Sequence, residues 1–255
     1  MHARSALFDL YGDHLRTRGS EAPVAALVRL LEPVGIAEPA VRTAISRMVG
    51  QRWLEPVRLP TGRGYRATER AIRRLDEAAM RIYRRDTASW DGTWHLLVVG
   101  PVGSRGTRER LRADLGFLGY AELAPQTWVS PFPRPGVDEV LTAAGTSAHL
   151  VERAQIDPPP VTAWDLDAIA SAYDEWRRAT ADLLESSVSD DRDAFAVRFH
   201  LVHEWRKFLF TDPGLPDRLL PRDWPGQAAA SVFAAHADEL KPAADRFVQE
   251  CLAGH

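Results

Sequence analysis

Cysteine is nearly missing from this chain. Cys251 stands alone among 255 residues, so neither an internal disulfide nor a cysteine metal cluster can form. Long apolar runs are missing as well. None approaches the roughly 18 unbroken apolar residues that would mark a membrane span. The opening stretch, MHARSALFDLYGDHLRTRG, is broken by charges and lacks an apolar signal core. These absences predict a cytoplasmic protein with no membrane partner. No repeat of fixed period and no low-complexity tract occurs. Lysine is absent from residues 1–90, although arginine is abundant there.

That imbalance leads to what is present. The formal net charge is −3, but it is unevenly spread. Residues 1–90 carry 16 arginines against 10 acidic residues, a balance of +6. The rest of the chain carries 16 basic against 25 acidic residues, a balance of −9. Within residues 36–74, nine arginines face three glutamates. A basic module that meets a polyanion would have this composition, and so would a solvated arginine-rich face. Motif geometry has to choose between them.

Three blocks follow along the chain. In the first, residues 1–68, Leu7, Leu10, Tyr11 and Leu15 recur at helical spacing, as do Val24, Leu27, Val28 and Leu31. Gly35 stops the second helix, and Pro39 suits the first turn of a third that runs to about Trp53. Val57–Leu59 and Tyr65–Ala67 alternate at strand period around Pro60–Gly64, whose two glycines are free to take positive φ. Three helices and a hairpin make a winged helix-turn-helix layout. Thr68 should cap a connector helix reaching about Arg85, with a linker at Thr87–Ser89 closing residues 69–89. Residues 90–156 read β-α-β-β-α-β, the ferredoxin-like order. Residues 161–255 read as helical: one helix capped by Asp165, one over Asp193–Phe210 and one over Gln227–Leu252. The fold class is therefore α+β and multidomain.

At about 100° per residue, Val41, Ala44, Ile45, Met48 and Val49 fall on one arc of the third helix. Arg42, Thr43, Ser46, Arg47 and Gln51 fall on the other. The apolar arc must bury against the first two helices, which turns the polar arc outward. Arginine can grip guanine O6 and N7 together, and Thr and Ser serve base edges or phosphates. Arg63 at the hairpin tip, with Arg58 and Arg66 on its strands, adds a second contact to a minor groove or to phosphates. The expected partner is double-stranded DNA.

The motifs AVRTAISRMV, WDGTWHLLVV, LRADLGFLGYAELAPQTWVSP and EWRKFLFTDPGLPDRLLPRDWPG carry a resemblance that spans nearly the whole chain. The chain resembles the PaaX family of phenylacetic acid degradation repressors. The resemblance implies a winged-helix head, a central Cas2-like ferredoxin fold and a helical C-terminal domain. It also implies a homodimeric repressor that leaves its operator when an aryl- or acyl-CoA thioester such as phenylacetyl-CoA binds. No Ser/His/Asp or Cys/His arrangement can be assigned, so no catalytic residue and no cofactor are expected. The alternative is an enzyme acting on nucleic acid or a CoA ester through the Cas2-like domain.

The sequence speaks against that alternative. The first strand of the middle block ends Val98-Val99-Gly100-Pro101, with no carboxylate for the hard-oxygen site a metal-dependent nuclease needs. Asp91 precedes the strand. Gly100–Gly106 joins strand to helix and is followed by arginines, so Arg105 and Arg108 are candidate ligand contacts at a helix start. The segment has no GKS or GKT ending, and hence no P-loop. His200, His203 and Glu204 share a helix without an HExxH pattern, so no metal is assigned and a hydrogen-bonded structural histidine is the simpler reading. His203 and Arg206 complete the candidate ligand set. Arg206 also suits an internal tether, and Trp224 a packing anchor.

Overall fold

The computed structural model describes residues 1–83, 90–185 and 187–254. The linker expected at Thr87–Ser89 and the end of the connector at Arg85 lie outside them. The chain forms two compact units. The first is Met1–Tyr83, Trp176–Trp205 and Ala228–His255; the second is Arg84–Glu175 and Arg206–Gln227.

In the first unit, helix α1 (Ala3–Asp9) continues into a π-helical segment, Leu10–Leu15. Strand β1 (Glu21–Pro23), helices α2 (Val24–Leu31) and α3 (Glu38–Gly50), strands β2 (Leu54–Leu59) and β3 (Gly62–Ala67) and helix α4 (Glu69–Ile82) follow. The strands form an antiparallel sheet in the order β1-β3-β2. This is the expected winged-helix arrangement with one strand more than the sequence predicts. Glu21–Pro23 is too short to show alternation, and only its pairing with Arg66, Tyr65 and Gly64 makes it a strand.

That strand changes the meaning of one glycine. Gly62 does take a positive φ, of 123°. Gly64 does not. It is glycine because a Cβ there would lie 2.5 Å from Leu59 Cδ1 and 2.6 Å from the Ala22 carbonyl oxygen. Tyr11 ties the sheet to the first helix by donating from its hydroxyl to the Tyr65 carbonyl at 2.8 Å. Thr68 caps α4 as expected, accepting from the Ala71 N–H at 3.3 Å.

Leu7, Leu10 and Leu15 pack with Leu27, Leu30, Leu31, Val41, Ile45 and Met48, and all are buried. Each such side chain contributes about 1.5–3 kcal/mol relative to exposure. Phe195 and Phe199 of helix α8 (Asp191–Trp205) and Val248 of helix α9 (Pro225–Ala253) belong to the same core. A polar hub lies beside it. Arg198, 2% exposed, donates to Asp13 Oδ1 at 2.8 Å, to the Tyr83 hydroxyl at 3.1 Å and to the Ala237 carbonyl. Burial alone would raise the Asp13 carboxyl, yet its charged and hydrogen-bonding neighbours hold it below the usual carboxylate range. Burial pushes the adjacent His14 down to about 4, so its ring is neutral at pH 7. Arg198 and the Tyr83 hydroxyl therefore hold the Asp13 charge.

In the second unit, β4 (Trp94–Val99), α5 (Arg105–Phe117), β5 (Ala121–Ala124), β6 (Thr127–Ser130), α6 (Val137–Ala143) and β7 (Ala148–Ala154) keep the expected order. The sheet is antiparallel, ordered β5-β6-β4-β7, as a ferredoxin-like fold requires. Helix α7 (Leu166–Leu184) starts at Asp165, which accepts from the Ala168 N–H at 2.9 Å. Helix α8 differs from its expected span of Asp193–Phe210. Asp190 caps it two residues earlier through the Asp193 N–H, and after Trp205 the chain tightens into a 3-10 segment, Arg206–Phe210. In the proline-rich connection the Tyr173 hydroxyl donates to Asp212, and Trp224 packs edge-on against Tyr173.

Candidate nucleic-acid interface

Helix α3 turns its two arcs as the spacing predicts. Val41, Ala44, Ile45 and Met48 are buried, and Val49 is half-buried. Arg42, Thr43, Ser46, Arg47 and Gln51 are exposed. The helix stops because Arg52 enters the left-handed region at φ 58°, with the Trp53 N–H returning to the Met48 carbonyl at 2.9 Å. Gln51 sits at that cap, at the outer end of the polar arc.

The polar side chains are not equally available. Arg42 Nε donates to Glu38 Oε1 at 2.7 Å, an exposed pair one turn apart. The Thr43 hydroxyl donates back to the Pro39 carbonyl at 2.8 Å. Arg47 has no ion-pair or hydrogen-bond partner among the described residues.

The wing supplies a second cationic surface. Strands β2 and β3 pair in a register that sets Arg58 directly opposite Arg63. Both are exposed, and neither has an acidic partner among the described residues. Like charges facing each other across a sheet are destabilising. Arg66 is different. It donates twice to Glu21 Oε2, at 2.8 and 2.6 Å, and so joins β3 to β1. Sequence reasoning missed this pair, because its signal needs the unexpected strand.

The candidate ligand residues are scattered. Arg105 Nε donates to Glu109 at 2.8 Å and is almost fully exposed. Arg108, one turn on, donates weakly to the Val102 carbonyl at 3.4 Å. Arg206 opens the 3-10 segment of the same unit. His203 belongs to the other unit, where its Nδ1 lies 2.6 Å from Asp9 Oδ2 and the carboxylate is almost wholly buried. Nothing in the spacing of Asp9 and His203, or of Asp13 and Arg198, announces these pairings.

Asp91 accepts from the Thr93 N–H at 2.9 Å and from its hydroxyl at 2.6 Å, a local turn ahead of β4. These bonds hold its carboxyl below the usual range. Among the described residues, no group of three or more His, Cys, Asp or Glu side chains is placed to hold a metal ion. No helix among them is long and apolar enough to cross a membrane.

Comparison with known proteins matches three segments to one family. Residues 2–71 match the PaaX-like protein family, residues 87–157 the PaaX protein central Cas2-like domain, and residues 164–250 the PaaX-like protein C-terminal domain. The transcriptional repressor PaaX of Escherichia coli strain K12 is 29% identical over 262 residues, covering 96% of this chain and 83% of its own length. Among solved structures, the uncharacterized protein Rv0674 from Mycobacterium tuberculosis aligns with a TM-score of 0.54 at 27% identity. That alignment covers 96% of this chain and 98% of the other.

Proposed function

Because the chain belongs to the PaaX family, we propose that it is a transcriptional repressor that binds double-stranded operator DNA through α3 and the β2–β3 wing. The Escherichia coli relative is named a transcriptional repressor, which fits a regulator and not an enzyme. One observation carries the DNA-binding half. The wing holds Arg58 opposite Arg63 with no carboxylate partner for either among the described residues, a cost that a phosphate between them removes. Beside it, the outer arc of α3 offers Arg47, Ser46, Thr43 and Gln51, side chains that read base edges in a major groove. Arg42 joins them by leaving Glu38, an exchange that costs little because an exposed pair of this kind is worth about 0.3–0.5 kcal/mol. Arg66 contributes to the local potential while bound to Glu21.

The protein works as a homodimer in the cytoplasm, and an aryl- or acyl-CoA thioester such as phenylacetyl-CoA releases it from the operator. The release follows if the thioester binds better to the geometry off DNA than to the geometry on it. The support for dimer and effector is membership of the family.

Genomic footprinting of the purified full-length protein, with and without a panel of acyl-CoAs, tests the reading. Protected sites that disappear with one thioester are expected. Absence of any protected site overturns the repressor; sites indifferent to every thioester overturn the effector alone.

A further inference from the structure

The second unit contains a cavity that DNA binding does not use. It lies where β4 turns toward α5 and encloses about 320 Å³. Small-ligand sites span about 300–1,000 Å³, so this one suits a compact molecule. Its floor is apolar: Val99, Leu111 and Trp128 are each at most 5% exposed. Arg108, Arg112 and Glu122 stand at the rim.

The rim cations differ. Arg112 is committed, with Nε and Nη2 both donating to Glu122 Oε2 at 3.1 and 2.6 Å. Arg108 lies four residues earlier on the same helix face. Among the described residues it has no carboxylate partner, only the 3.4 Å contact to the Val102 carbonyl. Two backbone donors leading into the turn, and one on the helix after it, are already engaged. Val99 N–H bonds the Gln126 carbonyl at 2.8 Å, and Gly100 N–H bonds the Ser147 carbonyl at 2.8 Å. Pro101 has no N–H. Thr107 N–H bonds the Ser104 hydroxyl at 3.1 Å.

An entering anion therefore meets a guanidinium that has no carboxylate partner among the described residues. A single acid group is well served, because a guanidinium accommodates one carboxylate with two parallel bonds. The floor then asks for a flat apolar body that covers Leu111 and lies against the indole of Trp128. We propose that this cavity binds a small organic monoanion, its acid on Arg108 and its flat apolar body over Leu111 and Trp128.

This deepens the ligand-responsive half of the proposed function. Its test uses no DNA, so a failed footprint and a failed cavity remain separate results. Full-length protein is titrated by calorimetry with 1-naphthoate and, as the uncharged match, 1-naphthamide. The acid should bind at least about tenfold more tightly, the usual worth of a charged hydrogen bond. Arg108→Gln should remove that advantage and leave amide binding unchanged. Arg110→Gln, on the same helix but outside the cavity, should preserve it. Val102→Trp, which narrows the mouth, should weaken both ligands without shifting the melting temperature of the unliganded protein. Equal binding of acid and amide, an advantage that survives Arg108→Gln, or no binding of either overturns the proposal.

Discussion

Arg63 is held in a conflict that the free protein does not resolve. Replacing it should act with opposite signs on stability and on binding. Arg63→Thr is expected to stabilise the unbound protein by about 0.2–1 kcal/mol, read from urea unfolding, by removing the charge opposite Arg58. The same change should weaken DNA binding across all sequences and make log K less steep in log salt by about one. Arg47 is expected to behave otherwise. Arg47→Ala should cost about 1–3 kcal/mol on the operator and little on unrelated duplex, measured by fluorescence anisotropy at fixed salt. Equal losses on both would reassign Arg47 from base reading to phosphate contact. At the same scale, His14 sets an acid limit. Its pKa falls from 6.5 unfolded to about 4 folded, so the unfolded chain binds the extra proton between those values. Stability is full above pH 6.5 and declines as pH falls toward 4, by on the order of 3 kcal/mol. The depressed Asp13 carboxyl adds to the loss in the same direction at lower pH. His14→Gln should flatten the upper part of that slope in unfolding measured across the pH range.

At the scale of elements, the wing depends on close contact between backbones. Gly64→Ala brings a methyl group against Ala22 and Leu59, and should cost about 1–3 kcal/mol in denaturant unfolding of the full chain. A smaller loss would mean that β1 gives way easily. The elements also divide clearly into those legible in the sequence and those not. Helix α3, with its buried and exposed arcs, follows from the period of Val41, Ala44, Ile45 and Met48 alone. So do the six elements of the ferredoxin-like unit and the caps Thr68 and Asp165. Each of these signals is local. Strand β1 was illegible because three residues hold no period, and with it went the reason for Gly64 and the tether of Arg66. The start of α8 was ambiguous because Asp190, Asp191 and Asp193 all resemble caps. For the candidate interface, the sequence indicated which side chains face outward. It could not indicate which of them are already engaged, as Arg42 is with Glu38, or that Arg58 and Arg63 share a register.

At the scale of the molecule, the first unit is assembled from distant parts of the chain. Residues 1–83 contain all the winged-helix elements, yet Asp13 finds its guanidinium on α8, and the core is completed by α8 and α9. An isolated 1–83 fragment should therefore be far less stable than the intact chain. Losing Arg198 alone leaves a buried carboxylate uncompensated, at a cost of about 3–5 kcal/mol. Arg198→Met in the intact chain measures that share, and Asp13→Asn combined with it should recover part of the loss. Circular dichroism melting of the fragment and the two variants checks the ranking. An arginine-rich fragment that melts as high as the whole protein would show that α8 and α9 are dispensable to it.

Val248 and Cys251 sit beside the leucines of the first helices. During synthesis the ribosome makes those leucines first and must complete the whole second unit before it delivers their last partners. A nascent chain stalled or cut short before α9 would hold every residue of the proposed DNA interface on a core that still lacks those partners.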